Sequence, residues 1–348
     1  MTDEDPPADH SAADDPAADD LAAARRGDEA AFARLAGRHR RELTAHCYRL
    51  LGSPQDAEDA VQEALLAAWR GLPGFEGHSS LRTWLYRVAT SVCLRQARRR
   101  PRLLSPDAGP PRTDVTDLGE PVPGPVWLEP LPGDLADDLV DHADPASAYL
   151  RRESVELAFV AALQHLPATQ RAVLLLREVL GYSAAETAAL LETTPASVNS
   201  ALQRARAAVA ERVPAHSQQA ELSALGETGR SELVGRFVTA WERADVPALL
   251  DLLTEDVRFT MPPLPAWFSG RDDVGRFLTE RVFATPWRLT PAPVNASVGL
   301  LCDQFADGAW QHGSVTVLGL RAGRVAWIAG FVDPALQDRF RSGHAGDR

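Results

Sequence analysis

The sequence predicts a multidomain chain in which two all-α segments, separated by a tether, are followed by an α+β domain. Three observations predict it. Apolar residues recur at helical spacing from Leu21 to about Arg100 and again from Ala148 to about Arg212. Between these segments, residues 101–145 hold ten prolines among acids, the composition of an extended linker. Past Pro214 helical runs give way to strand-like ones, the order of an α+β domain whose curved sheet wraps around its helices. At roughly 100 to 200 residues per domain, 348 residues accommodate this plan.

Taken in order, residues 1–20 are Asp, Ala and Pro with few large apolar side chains, and are expected to be a disordered acidic tail. The first all-α domain is placed at residues 21–102. Within it Gly52-Ser53-Pro54-Gln55-Asp56 reads as a helix start, with Ser53 as N-cap and Pro54 at the first helical position. That helix should run to about Arg70 with Ala57, Val61, Ala64, Leu65 and Ala68 inward, leaving Asp56, Glu58, Asp59, Gln62 and Glu63 on its other face. A Gly/Pro-rich loop from Gly71 to His78 follows, and Ser79 or Ser80 caps a further helix. Its apolar stripe is Leu81, Trp84, Leu85, Val88 and Val92, and it ends in a run of arginines that exceeds what a helix C-terminus needs for its dipole.

The linker is placed at residues 103–147. Its Val126-Trp127-Leu128 leaves two readings open, an aromatic docked on another domain or an isolated surface Trp. In the second all-α domain, residues 148–214, Leu166-Pro167-Ala168-Thr169 opens a helix through Leu180 that Gly181 ends, and Ser183-Ala184-Ala185-Glu186 is a capping box. A turn at Glu192-Thr193-Thr194 precedes a helix from Pro195 to about Glu211, which is helix-turn-helix spacing. The α+β domain is placed at residues 228–342. It begins with helices at Ser231 to Arg243 and Val246 to Leu253. A strand at Val257 to Met261 and a helix at Gly270 to Val282 follow. The strands Gln311 to Leu320 and Val325 to Val332 are joined by a turn at Arg321 to Arg324.

Charge divides along the same lines. The chain carries 36 basic residues, all Arg, against 48 acids, a net charge of -12. Residues 1–20 hold eight acids and no base, and residues 105–150 ten acids and one Arg, whereas residues 21–104 hold 15 Arg against eight acids. A basic block flanked by acidic tethers is the pattern of a nucleic-acid-binding domain. The acidic segments are expected to shield that block. No apolar run approaches the ~18 residues of a membrane-spanning helix, and the acidic N-terminus is unlike a secretion signal. Cys47, Cys93 and Cys302 are scattered with no CxxC or Cys/His grouping, so no disulfide framework, metal site or cofactor is expected. Buried thiols in a reducing, cytoplasmic compartment are the expectation.

The stretch from Asp56 to Arg70, followed by Ser80-Leu81-Arg82-Thr83-Trp84-Leu85-Tyr86-Arg87-Val88-Ala89-Thr90 and the Arg cluster, resembles region 2 of bacterial RNA polymerase sigma factors of the extracytoplasmic-function group. The stretch from Leu166-Pro167 through Val198-Asn199-Ser200-Ala201-Leu202-Gln203-Arg204-Ala205-Arg206 is similar to their helix-turn-helix region 4. The third domain resembles the SnoaL-like, ketosteroid-isomerase-like cone fold, most recognisably over Phe259 to Gly270, and sigma factors with this appendage form a known subgroup. The resemblance implies core RNA polymerase and promoter DNA as partners. Asp56, Glu58, Asp59, Val61, Gln62 and Glu63 would meet the coiled coil of the polymerase β′ subunit, and the β flap is implied as a second polymerase contact. His78, Ser79, Ser80, Arg82, Arg87, Arg95, Arg98 and Arg99 would melt and hold the minus-ten element. Ser183, Glu186, Thr194, Pro195, Ser197, Val198, Asn199, Ser200, Gln203, Arg204 and Arg206 would serve the helix-turn-helix on the minus-thirty-five element, with Val198 also on that helix's core face.

A fused third domain implies regulation in cis, with residues 230–340 packing on the sigma domains or the Trp127 linker. A small hydrophobic ligand in that domain is a further expectation. Catalysis is not expected, because all four tyrosines precede residue 215, so the oxyanion partner common in such isomerases is missing. Asp256, Asp303 and His312 remain as polar candidates there. Two alternatives stay open: a helix-turn-helix regulator acting without polymerase, and a ligand-sensing regulator.

Overall fold

The computed structural model describes residues 16–98, 105–122, 127–133, 154–212 and 216–344. The first helix, α1 (Pro16–Arg25), starts inside the segment expected to be a disordered tail. Its order comes from Asp20, which Arg34 holds at 2.6 Å, and from Leu21 and Ala24, which pack with Phe32, Leu35, Leu72 and Phe75. Helices α2 (Glu29–Leu51), α3 (Pro54–Gly71) and α4 (Leu81–Ala97) complete the first domain. The Ser53 hydroxyl accepts from Asp56 N at 3.3 Å and Ser80 from Thr83 N at 3.1 Å, so both predicted caps form and Ser80 rather than Ser79 starts α4.

The second domain contains α5 (Leu157–Gln164), α6 (Ala168–Leu174) continued by a π-helical turn (Leu175–Val179), α7 (Ala184–Leu190) and α8 (Pro195–Ala210). The capping box Ser183/Glu186 and the Thr194 cap set the turn between α7 and α8. In the third domain, α9 (Gln218–Glu242) breaks at Gly226, whose φ of 65° is left-handed, and α10 (Val246–Leu252) follows. Strands β1 (Leu253–Thr260), β2 (Trp267–Ser269), β3 (Trp287–Val294), β4 (Ser297–Ala306), β5 (Ala309–Arg321) and β6 (Arg324–Phe331) form one sheet in the order β2-β1-β6-β5-β4-β3. Only β1 and β6 run parallel. Helix α11 (Arg271–Glu280) packs on β1 and β2, and α12 (Pro334–His344) ends the described chain.

The sheet is buried on both faces. On one, Leu300, Leu318, Leu320 and Ile328 pack with Phe237, Trp241, Phe259 and Phe277. On the other, Val315, Val317, Ala329 and Phe331 join Leu43, Tyr48, Leu128, Leu163 and Leu174 in a single cluster that runs through both helical domains. The appended domain therefore shares a core with the domains it follows. Burial on both faces also explains why β4 reads as the unbroken apolar run Val298-Gly299-Leu300-Leu301-Cys302 rather than as an alternation.

The linker is a strap. Residues 105–122 lie along the third domain, with Arg112 N donating to Trp267 O at 2.7 Å and Val122 N to Pro263 O at 3.0 Å. Trp127 is only 6 % exposed and Leu128 and Leu131 are fully buried, so of the two readings of the linker Trp the docked one holds.

Candidate polymerase and promoter interface

The expected polymerase-facing helix α3 presents Asp59, Gln62 and Glu63 to solvent, with Glu58 half-buried and Leu66 58 % exposed beside them. Val61 and Asp56 lie elsewhere: Val61 is 1 % exposed in the core, where it holds the helix in place, and Asp56 is buried over the Ser53 cap. Glu63 pairs with Arg95 across to α4. The start of α3 also carries a contact from the far end of the chain, because Arg339 on α12 donates to Gln55 Oε1 at 2.7 Å.

The expected minus-ten surface is partly engaged. His78, Ser79 and Ser80 are exposed on the loop before α4, and Arg98 is exposed at its end. Arg82 is held by Glu42 through Nη2 at 2.7 Å and Nε at 2.9 Å, with its guanidinium 4.9 Å from the Tyr86 ring. Although burial works the other way, His39 and Arg82 together hold the Glu42 carboxyl below its usual range. Arg87 pairs at 2.8 Å with Glu192, which sits at φ 54° in the turn of the helix-turn-helix. Arg99 lies outside the described residues. Asp107 and Asp117 of residues 105–122 do not shield this block: Asp107 pairs with Arg258 and Asp117 with Arg112, both within the strap and the third domain.

On α8, Ser197, Asn199, Ser200, Gln203, Arg204 and Arg206 are exposed, as are Ser183, Glu186, Thr194 and Pro195 before it. Val198 is fully buried beneath this face, and Arg206 is tied to Glu178 at 2.6 Å. The polar face of α8 is thus open to solvent, while the other side of the second domain is pressed onto the first. There Tyr182 stands 6.4 Å from Tyr86 in an edge-on ring contact, and buried Arg171 donates to the Leu50 carbonyl. That carbonyl belongs to the last turn of α2, where a cation is favoured by the helix dipole.

The residues that hold the three domains together carry no motif by which the sequence marks them. Asn295, fully buried, forms with Ala296 the two-residue turn between β3 and β4, both with φ near 50°. Asn tolerates this left-handed backbone better than most residues. Its Nδ2 donates to the Tyr48 hydroxyl at 2.8 Å and to Val155 O at 2.7 Å, while its Oδ1 accepts from Leu131 N at 2.8 Å. One side chain thereby joins α2, the linker and the entry to α5. The Tyr48 hydroxyl in turn donates to Glu129 O at 2.8 Å, and burial pushes its phenol well above the usual range. Nearby, the Glu156 carboxylate accepts from Gln218 N at 3.0 Å and Gln219 N at 2.8 Å, so a residue of the second domain caps the first helix of the third. The Gln218 amide binds both backbone groups of Leu320 on β5.

The polar candidates of the third domain do not converge. Asp256 pairs with Arg321, Asp303 with Arg341 at 2.5 Å, and His312 with Asp338 at 3.0 Å. The last two anchor α12 to the sheet. The three cysteines are buried; burial and the neighbouring Cys47 push the Cys93 thiol well up, and burial raises Cys302 to about 11.

Among the described residues no helix is long and apolar enough to cross a membrane. Three sequence profiles match: Sigma-70 region 2 over residues 35–103, Sigma-70 region 4 over residues 156–209, and the SnoaL-like domain over residues 234–331. An ECF RNA polymerase sigma factor, SigG of Mycobacterium tuberculosis, is 41 % identical over 322 residues, covering 91 % of this chain and 84 % of that protein. RNA polymerase sigma-H factor of Pseudomonas aeruginosa is 33 % identical over 185 residues, 53 % of this chain and 87 % of its own. In fold, the chain is similar to the crystal structure of the M. tuberculosis extracytoplasmic function sigma factor SigJ, with a TM-score of 0.54, 24 % identity, and coverage of 85 % of this chain and 95 % of that one.

Proposed function

Because the chain belongs to the extracytoplasmic-function group of RNA polymerase sigma factors, we propose that the described conformation is a closed form, which the SnoaL-like domain holds shut in cis until core polymerase and promoter open it. As a sigma factor it binds core polymerase and directs promoter recognition and melting for transcription initiation. In the open form α3 would offer Asp59, Gln62 and Glu63 to the basic coiled coil of β′, with region 4 on the β flap. The loop from His78 and helix α4 would capture the minus-ten strand, and α8 would enter the major groove at minus thirty-five. All of this takes place in the cytoplasm, where core polymerase is.

The observation that carries the closed reading is the ion pair Arg87–Glu192 at 2.8 Å, formed between the minus-ten helix and the turn of the minus-thirty-five reader. The two promoter elements are roughly 85 Å apart at ~3.4 Å per base pair, so surfaces in direct contact cannot occupy both. Regions 2 and 4 have to separate, and Asn295, Glu156 and the shared core oppose that separation.

The SnoaL-like domain acts by contact rather than catalysis. Phe237, Trp241, Phe259 and Phe277 pack together between helices and sheet where an isomerase of this fold would hold substrate, and Asp256 and Asp303 are engaged in ion pairs. Deleting residues 215–348 should alter promoter-specific transcription by purified core polymerase, but it also strips apolar cover from Tyr48 and Leu163. A cleaner test is run-off transcription with Asn295→Ala, which leaves both nucleic-acid surfaces intact. Higher transcription at limiting sigma is expected; an unchanged rate and affinity for core polymerase would overturn the reading.

A further inference from the structure

We propose that the cleft between the first helix of region 4 and the outward face of the appended sheet binds an amphiphilic carboxylic acid, and that occupancy keeps the sigma factor closed. The cleft measures about 740 Å³, within the ~300 to 1,000 Å³ of small-molecule sites. One wall is α5, with the small side chains of Ala158 and Ala161; the other is β5 and β6, with Val317 and Trp327. Gly319 on β5 adds no side chain to that wall, and residues 105–108 of the strap border the cleft. This site is separate from the aromatic cluster between the helices and the other face of the sheet.

The charges around the mouth select the head group. Asp107 is committed to Arg258 at 2.7 Å and Asp256 to Arg321, and Glu221 lies in the field of the same Arg321. His165 and His216 are exposed at the rim, and Arg212, whose only ion pair among the described residues is an exposed one to Glu211, is the cation at the mouth not held by an acid of the cleft itself. Among the described residues Arg212 bonds through Nη1, to Ala208 O at 2.7 Å and Glu211 at 3.3 Å, which leaves the other edge of its guanidinium for a carboxylate. An apolar body along Trp327 with an anionic head at Arg212 satisfies both halves of the cleft.

The walls belong to different domains, so the cleft exists only while region 4 is docked on the sheet. A ligand that fits it favours the closed form by a factor of 1 + [L]/Kd, and core polymerase must overcome the same factor. This direction of regulation rests on the closed form being inactive; binding itself does not.

The probes are dodecanoate and dodecanol, both kept monomeric, titrated into the full-length chain by calorimetry and thermal shift. Saturable 1:1 binding of dodecanoate with a raised Tm is expected, with dodecanol about tenfold weaker for want of a charge-assisted bond. Arg212→Gln should bring dodecanoate down to the level of dodecanol, and Ala161→Trp, or Ala158→Phe should the first fail to fold, should abolish both. No saturable binding, equal binding of the alcohol, or binding indifferent to these substitutions overturns the site. In run-off transcription dodecanoate should lower the yield of the unsubstituted chain and leave Ala161→Trp unaffected. Activation by Asn295→Ala without any dodecanoate binding sinks only the ligand site. Binding without any effect of Asn295→Ala sinks the closed-form reading and leaves the site standing.

Discussion

The Asn295 amide donates to the Tyr48 hydroxyl at 2.8 Å, joining a hairpin of the SnoaL-like domain to the longest helix of sigma region 2 across 247 residues of sequence. Each polar group at this junction has a partner, so the contact is specific as well as buried. Asn295→Ala should lower unfolding stability by about 2–3 kcal/mol, since it leaves Leu131 N and Val155 O without their bonds. Urea unfolding of the full chain measures this, and the same variant should show tighter binding to core polymerase.

The ion pair Arg87–Glu192 is exposed, at 49 % and 77 %, and is worth less. Glu192→Ala should ease opening by at most about 1 kcal/mol, an effect that fades as salt rises. Core-polymerase titrations at low and high salt should show up to a roughly fivefold gain at low salt only. Arg87→Ala is expected to differ, because it releases the same contact but weakens capture of the minus-ten strand.

Asp59 is exposed on α3, and charge reversal there tests the polymerase face separately from the fold. Asp59→Arg should weaken core-polymerase binding at least about tenfold with little change in the unfolding midpoint. Glu63→Arg should weaken binding too, with a small stability loss from its pairing to Arg95.

His46 is fully buried against Thr90 at 2.8 Å, and desolvation, helped by Arg49, lowers its pKa to about 3. Between that value and the ordinary 6.5, the unfolded chain binds a proton at this residue that the native chain does not. Stability contributed by neutral His46 is therefore complete above about pH 6.5 and falls as pH drops toward 3, by up to about 1.4 kcal/mol per pH unit. His46→Gln should remove this slope from urea midpoints measured between pH 4 and 7, whatever it does to stability at pH 7.

The helices were readable because their ends carry local chemistry: Ser53-Pro54, Ser80, Ser183 with Glu186, and Thr194-Pro195 all cap where their side chains predict. Strand β3 was not, because Pro291 and Pro293 argue against a strand; they are tolerated only because β3 is the edge of the sheet. Without β3 there was no β3–β4 turn to find, and Asn295 stayed invisible. The outward faces of α3 and α8 followed from periodicity. Their burial of Asp56 and the pairing of Arg82, Arg87 and Arg95 did not, since each partner is distant in sequence.

Energy transfer between dyes on region 2 and region 4 tests closure most directly. Gly37→Cys on α2 and Ala207→Cys on α8 place labels on exposed positions, and the native Cys47, Cys93 and Cys302 are all buried. The free full-length chain should show high transfer, and addition of core polymerase and promoter DNA should lengthen the separation by tens of ångströms, of the order of the roughly 85 Å between promoter elements at ~3.4 Å per base pair. Low transfer in the free chain, or transfer that stays the same on polymerase, would contradict a sigma factor held closed by its own third domain.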